Sequence, residues 1–236
     1  MKRKKVTYIL ANIDKAIAFE WIVEQLNQQQ IELSFILFNP KESYLFNWLK
    51  SKGIEAYLIP HQGKKSYFTS FFKMLFLLRK IKPVIVHTHL VDANLIGLTA
   101  AKLLRIRKRI YTRHHSTFHH ANFPHAIKYD KWASRMSTQI VAITKNVKNV
   151  LIEKEAVSTE KIILIHHGFD IQSFQNVTQT HLKSLKSKYK IEQNNFPVIG
   201  IVARYISWKG IQYIIPAFKR LLKEHPNAKL LLANAT

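Results

Sequence analysis

Two basic residues and a group of histidines carry most of the chemistry that this sequence could perform. Arg204 and Lys209 flank the stretch Arg204-Tyr-Ile-Ser-Trp-Lys-Gly210, between the apolar run Val198–Ala203 and a helical pattern starting at Ile211. Two fixed cations beside a helix N-terminus suit a diphosphate, because unpaired amides and the helix dipole add to the side-chain charge. Such a site stabilises a departing nucleoside diphosphate without a metal. The competing reading of the same spacing is a solvated loop with two ordinary surface cations.

Seven of the twelve histidines fall between His87 and His125, including the pairs His114-His115 and His119-His120. Imidazoles four or five residues apart can converge on zinc if their segment is helical. With no cysteine, and few carboxylates to orient the rings, the sequence assigns no metal site and no cofactor. His87 and His89 sit at a strand's end, and His89 is placed at the cleft. His87, two residues earlier, is read as a side chain set by the pleat with no ligand role.

Several chemistries are absent. Only four aspartates occur (Asp14, Asp92, Asp130 and Asp170), and no Asp-x-Asp pair holds a divalent cation. The six glycines build no G-x-G-x-x-G and no complete P-loop, and neither a G-x-S-x-G elbow nor H-E-x-x-H occurs.

Strands and helices must position these residues. Val6–Leu10, Ile31–Leu37, Glu55–Ile59, Val84–His87, Arg109–Thr112, Ile140–Ile143 and Ile162–Ile165 read as strands. Helical patterns fall at Lys15–Gln29, Glu42–Lys52, Ser66–Ile81, Asn94–Leu104, His125–Met136 and Thr144–Lys154. Gly53 suits a helix C-cap, Thr144 an N-cap, and Pro83 a stop before the next strand. Apolar strands alternating with helices imply a mostly parallel sheet covered on both faces, with ligands beyond the strands' carboxyl ends. The loops that should meet ligand are Ala11–Asp14, Thr88–Asp92, Arg113–Pro124 and His166–Asp170.

Beyond Asp170 the chain turns polar, with a helix near His181–Tyr189, and then restarts. Strand Val198–Ala203, helix Ile211–Lys223 and strand Lys229–Leu232 make one β-α-β unit. Pro216 suggests that regular pairing in that helix begins only around Tyr213. A lone unit of this kind would leave apolar faces bare, so it reads as the start of a second domain that continues past Thr236. The expected divisions are residues 1–170 as an acceptor-side domain, 171–196 as a connection, and 197–236 as the opening of a donor-binding domain.

The 236 residues carry 37 Lys and Arg against 14 Asp and Glu, a formal charge of +23. That surplus should draw the protein to something anionic: nucleic acid, an acidic membrane face or a phosphate-rich small molecule. Apolar residues make up 47%, enough to exclude a disordered chain. No secretory peptide is legible, and Tyr67–Leu78 is too short and too interrupted by Lys73 to cross a bilayer.

Taken together, these segments resemble the retaining glycosyltransferases of family 4, whose GT-B fold has two facing Rossmann-like domains. Lys80-Ile-Lys-Pro-Val-Ile-Val-His-Thr-His89 is similar to that family's "rlkPDvvHtH" strand, and Arg109-Ile-Tyr-Thr-Arg-His-His-Ser116 to its "vvtrHh" segment. Val141-Ala-Ile-Thr144, Ile163-Leu-Ile-His-His-Gly-Phe-Asp170 and Phe174 resemble its "vaiS" and "vipNGvD…F" elements. Val198–Gly210 with the helix and strand after it resembles the opening of its donor domain. The resemblance implies an α/β GT-B-type doubly wound parallel sheet followed by a truncated second Rossmann-like domain. It implies that Arg204 and Lys209 bind the diphosphate of a nucleotide-sugar donor. His114 would act near the reacting sugar, with His115 its neighbour, His89 at the cleft, and Gly168 in the interdomain crossover. The acceptor would be a glycan or a lipid-linked acceptor, and the site would need no metal. Departures are Ala11-Asn-Ile-Asp-Lys15 in place of a glycine-rich loop, His167-Gly168 in place of Asn-Gly, and Ala203 in place of glycine. The family's E-x7-E segment would fall after Thr236, so the chain alone is expected to be inactive.

Ser70–Lys80 has two readings: a membrane-surface helix bringing the protein to a lipid-linked acceptor, or a covering helix packed on the sheet. The two coexist if Lys73, Arg79, Lys80 and Lys82 face anionic headgroups. The expected location is cytoplasmic, peripheral on the inner face of the membrane. A second basic run, Lys102 to Arg109, reads as a solvated face. The rival functions are a nucleic-acid-binding α/β protein and a non-catalytic membrane-binding fragment. A nucleic-acid binder needs aromatics exposed beside cations, whereas Phe35, Phe38, Phe72 and Phe76 are expected to face the core.

Overall fold

The computed structural model describes residues 3–26, 30–172, 175 and 177–234. They divide into two units, Met1–Phe169 and Asp170–Thr236. Phe174, residues 27–29 of the expected first helix, and Thr236 lie outside the described residues.

In the first unit the apolar runs become seven parallel strands: β1 (Lys4–Ala11), β2 (Ile31–Asn39), β3 (Glu55–Pro60), β4 (Ile85–His89), β5 (Lys108–Arg113), β6 (Gln139–Ala142) and β7 (Ile162–Leu164). Their order is β3-β2-β1-β4-β5-β6-β7, the doubly wound arrangement that the sequence implies. The order reverses between β1 and β4, and a crevice opens beyond the carboxyl ends of strands at such a point. The helices are α1 (Ile17–Gln25), α2 (Tyr44–Ser51), α3 (Tyr67–Ile81), α4 (Val91–Leu103), α5 (Phe118–Asn122), α6 (Ile127–Met136) and α7 (Lys145–Glu153).

The pleat sends alternate strand residues to two cores. Ile9, Ile36, Phe38 and Val86 pack with Met74, Leu78 and Ile81 of α3 and Ala93, Ile96 and Ala100 of α4. Leu10, Phe35 and Leu37 pack with Phe19 and Val23 of α1 and Leu45 and Leu49 of α2. Close approach sets the position of α4: a Cβ on Gly97 would lie 2.9 Å from Ile9 Cδ1 and 3.1 Å from Thr88 Cγ2. Glycine at this point lets the helix lie directly on the central strands.

Local signals act as their chemistry dictates. Thr144 caps α7 by accepting from the Val147 amide at 3.1 Å, and Ser43 does the same for α2 from Phe46 at 3.2 Å. Gly53 follows α2 with φ +71°.

Several boundaries differ from expectation. The described part of the first helix ends at Gln25, and α4 begins at Val91, three residues before the expected Asn94. The expected loop Arg113–Pro124 contains the short helix α5. Phe72 and Phe76 are exposed and do not face the core, because the buried stripe of α3 is Ser70, Met74, Leu78 and Ile81. Arg109 is not a solvated cation: its Nε donates to Met136 O at 2.8 Å and its Nη1 to Ile106 O at 2.6 Å. The Met136 bond sets its charge at the C-terminal end of α6.

In the second unit, α8 (Gln179–Lys188) precedes β8 (Val198–Val202), α9 (Ile211–Leu221) and β9 (Lys229–Ala233), with β8 and β9 paired in parallel. Pro216 lies inside α9, and the helix starts at Ile211, before the expected Tyr213. The missing amide of Pro216 forfeits one bond without stopping the helix.

Candidate functional site

At the reversal in strand order, β4 brings two imidazoles to one face of the sheet. His87 and His89 are two residues apart and so share the face of Tyr8 and Leu10, their partners across the β1–β4 register. Tyr8 lies 5.1 Å from the His87 ring and Phe19 packs edge-on to His89 at 4.9 Å. His114 follows β5 directly and meets the same group: His89 Nδ1 and His114 Nε2 are 2.9 Å apart. His87 Nε2 lies 2.8 Å from Thr112 Oγ1, and the His167 ring stacks on His114 at 5.7 Å. Four imidazoles therefore form a file along the carboxyl ends of β4 and β5.

Burial lowers the basicity of this file. His87 is pushed down to about 4 by burial and then by His114. His89 lies well below the ordinary histidine range, through burial first and then the three neighbouring imidazoles. His114 is exposed at its outer edge. Burial of its inner edge, then His167 and His115, lowers it to about 4. At neutral pH the His89–His114 bond thus joins two uncharged rings, one donating and the other accepting. Either tautomer leaves His114 Nδ1 for a second hydrogen bond, as donor or acceptor, which suits a neutral hydroxyl. His89 Nε2 is buried without a hydrogen-bond partner among the described residues.

The backbone beside the file is unusual. Leu90 joins β4 to α4 with φ 73° and ψ 163°, a conformation nearly confined to glycine. Asp92 in the first turn of α4 accepts from the Tyr67 hydroxyl, lies 3.4 Å from His61 Nε2, and accepts from Asn12 Nδ2 at 3.4 Å. The loops after β1 and β4 are thereby tied together at the crevice.

His115 does not join its neighbour. It turns to a second, largely buried polar group, with Nε2 3.6 Å from Asp130 Oδ1 and its ring 4.0 Å from that of His119. Arg113 holds this group together, pairing with Asp130 at 2.8 Å and Glu155 at 2.5 Å while its Nε donates to His115 O at 3.0 Å. Burial would raise Asp130, but His115, Arg113 and His119 outweigh it and lower its pKa. His115, His119 and Asp130 offer ligand atoms within 4.8 Å of one another and are the set that could hold a metal among the described residues. A cation there would compete with the guanidinium already on Asp130.

Gly168 is exposed, and a Cβ built on it meets nothing within 4 Å. Its neighbour His167 is the residue that reaches the imidazole file. In the second unit, Arg204 lies just past β8, and Lys209 ends a short 3-10 turn, Ser207–Lys209, ahead of Gly210, the N-cap of α9. Both are exposed, and neither makes an ion pair among the described residues. Gly210 has φ +75°, which lets the chain enter α9 directly from the loop.

Sequence reasoning placed His89 and His114 at strand ends. It missed His167 and Thr112 as neighbours of the file, and Arg113 as the centre of the second group. The two-residue period of β4 was the available signal that His87 accompanies His89.

Residues 22–173 match the sequence profile of Glycosyltransferase Family 4. The chain is 29% identical over 245 residues to the capsular polysaccharide biosynthesis glycosyltransferase CapM of Staphylococcus aureus, covering 98% of this chain and 61% of that protein. It therefore spans about three fifths of that relative's length. Among solved structures it is similar to a glycosyltransferase from Rickettsia africae, with TM-score 0.74, 16% identity, and coverage of 100% of this chain and 69% of that one. It also resembles Anabaena HepE in complex with UDP-glucose, with TM-score 0.71, 15% identity, and coverage of 98% and 69%.

Proposed function

The chain belongs to glycosyltransferase family 4, and on that premise we propose that it serves transfer of a hexosyl group from a nucleotide-sugar donor to an acceptor hydroxyl. Residues 1–170 form the acceptor side and residues 197–236 open the donor side, joined by 171–196. The observation that carries this reading is the neutral imidazole file at the reversal of strand order. His114 offers a hydrogen bond to a sugar hydroxyl without a charge that would compete for the diphosphate. His89 fixes the ring of His114 from within, and His115 steadies the loop through Asp130. Gly168 keeps the backbone beside His167 open.

Arg204 and Lys209 bind the diphosphate and neutralise it as it leaves, so that no metal is required and no cofactor is used. The sequence supports this with two cations at the start of α9 and with no Asp-x-Asp to hold a divalent ion. The UDP-glucose bound by HepE supports a uridine diphosphate sugar as the donor class. The acceptor is a glycan or lipid-linked sugar of bacterial type, in line with the capsular role in the name of CapM. The protein works as a peripheral protein on the cytoplasmic face of a membrane.

Calorimetric titration of the 236-residue chain with UDP and UDP-glucose tests the diphosphate assignment. Arg204→Ala and Lys209→Ala are each expected to weaken UDP by about tenfold while leaving uridine unaffected, as loss of a charge-assisted contact requires. Equal UDP affinity in the double variant would remove both residues from the site.

A further inference from the structure

We propose that the outer face of α3, together with the groove beside it, docks on an anionic lipid bilayer. This surface deepens the peripheral reading above and rests on it. The buried stripe of α3 faces the sheet, and on its other side Phe68, Phe72 and Phe76 recur every fourth residue. Their exposures of 74%, 53% and 68% leave three large rings in contact with water on one helix face. Rings spaced in this way lie one above the other, and they are not needed to hold α3 in place.

Beside the stripe lies an apolar groove of about 680 Å3. Tyr67, Phe68 and Phe71 of α3, Leu95 and Ile96 of α4 and Trp132 of α6 line it. Tyr67 lines the groove with its ring while its hydroxyl bonds Asp92 at the crevice. The groove lies on the sheet face covered by α3 and α4, opposite the face of Tyr8 and Leu10 that carries His87 and His89. Trp and Tyr with one polar and one apolar edge are the residues that settle at headgroup depth.

Charge selects the lipid. Residues 63–82 hold Lys64, Lys65, Lys73, Arg79, Lys80 and Lys82 and no acidic residue. Lys64 and Lys128 flank the groove itself. An apolar helix face rimmed by cations matches a surface of acyl chains beneath phosphate headgroups. Single-stranded nucleic acid fits less well. Phe72 packs edge-on against Phe68 at 4.7 Å and against Phe71 at 5.8 Å, which leaves less of its ring for a base to stack on.

Co-sedimentation of the full chain with phosphatidylcholine vesicles, with and without phosphatidylglycerol, tests the proposal. Binding is expected only with the anionic lipid, falling as salt rises. The triple variant Phe68→Ser, Phe72→Ser, Phe76→Ser is expected to lose at least about tenfold in vesicle affinity with unchanged circular dichroism and UDP affinity. Lys73→Glu with Arg79→Glu should weaken binding in the same direction. Equal sedimentation of the triple variant would overturn the docking face and leave the peripheral reading standing. Failure of the unaltered chain to sediment would overturn both, whereas the transfer reading is judged separately by UDP binding. Tighter binding to single-stranded RNA that the triple variant loses, or a change in its oligomeric state with vesicle binding intact, would assign the face to another partner and overturn the proposal.

Discussion

Acidification should destabilise the first unit through its buried imidazoles, and His87 sets the scale. In the unfolded chain a histidine titrates near 6.5, whereas His87 in the fold titrates near 4. Above the unfolded value neither state carries the proton and the fold is at full strength. Between the two values the unfolded chain binds a proton that the folded chain refuses, so stability falls as the pH drops. From pH 7 to pH 5.5 this one side chain contributes a loss of about 1.2 kcal/mol, approaching roughly 3 kcal/mol by pH 4. His89 acts in the same direction, and His114, at the exposed edge, adds a smaller, screened share. The assay is urea unfolding by circular dichroism at a series of pH values, for the unaltered protein and for His87→Gln. The variant removes the titrating group, and its amide can still meet Thr112 Oγ1. Its stability should decline less over that interval, by about 1.2 kcal/mol. Parallel curves for the two proteins would show that His87 is not held neutral by burial and would refute the reasoning.

Two further perturbations follow from packing. Replacing Arg113 by Met leaves Asp130 and Glu155 buried without their shared guanidinium, and should cost about 3–5 kcal/mol in urea unfolding; a loss below about 1 kcal/mol would mean that the carboxylates are solvated. Gly97→Ala should lower stability by about 1–2 kcal/mol because its methyl meets Ile9 and Thr88. Adding Ile9→Val removes the nearest atom, and the midpoint of thermal unfolding should recover in part; no recovery would place the strain elsewhere.

Alternation of apolar and helical runs was enough to define the seven strands of the first unit and most helix positions. A buried parallel strand reads as a continuous apolar run, and caps such as Thr144 and Gly53 act through their own local chemistry. Helix faces were harder. Phe72 and Phe76 are as apolar as the core residues Met74 and Leu78, so composition alone put them in the core and did not show which side of α3 the sheet would cover. The wall facing α3 decides that, and the wall is built by residues far away in the chain.

The same division holds at the candidate site. By itself the sequence determined that histidines would sit at strand ends, because strand length and the two-residue pleat period are local properties. Only the tertiary structure decided that His114 meets His89 while the adjacent His115 turns to Asp130. That choice depends on Arg113 pairing with Glu155, 42 residues away, and on a strand order that places β5 beside β4. Burial, which turns ordinary imidazoles into neutral ones, likewise belongs to the packed sheet and helices, since removal of water from a side chain is a collective act of its neighbours.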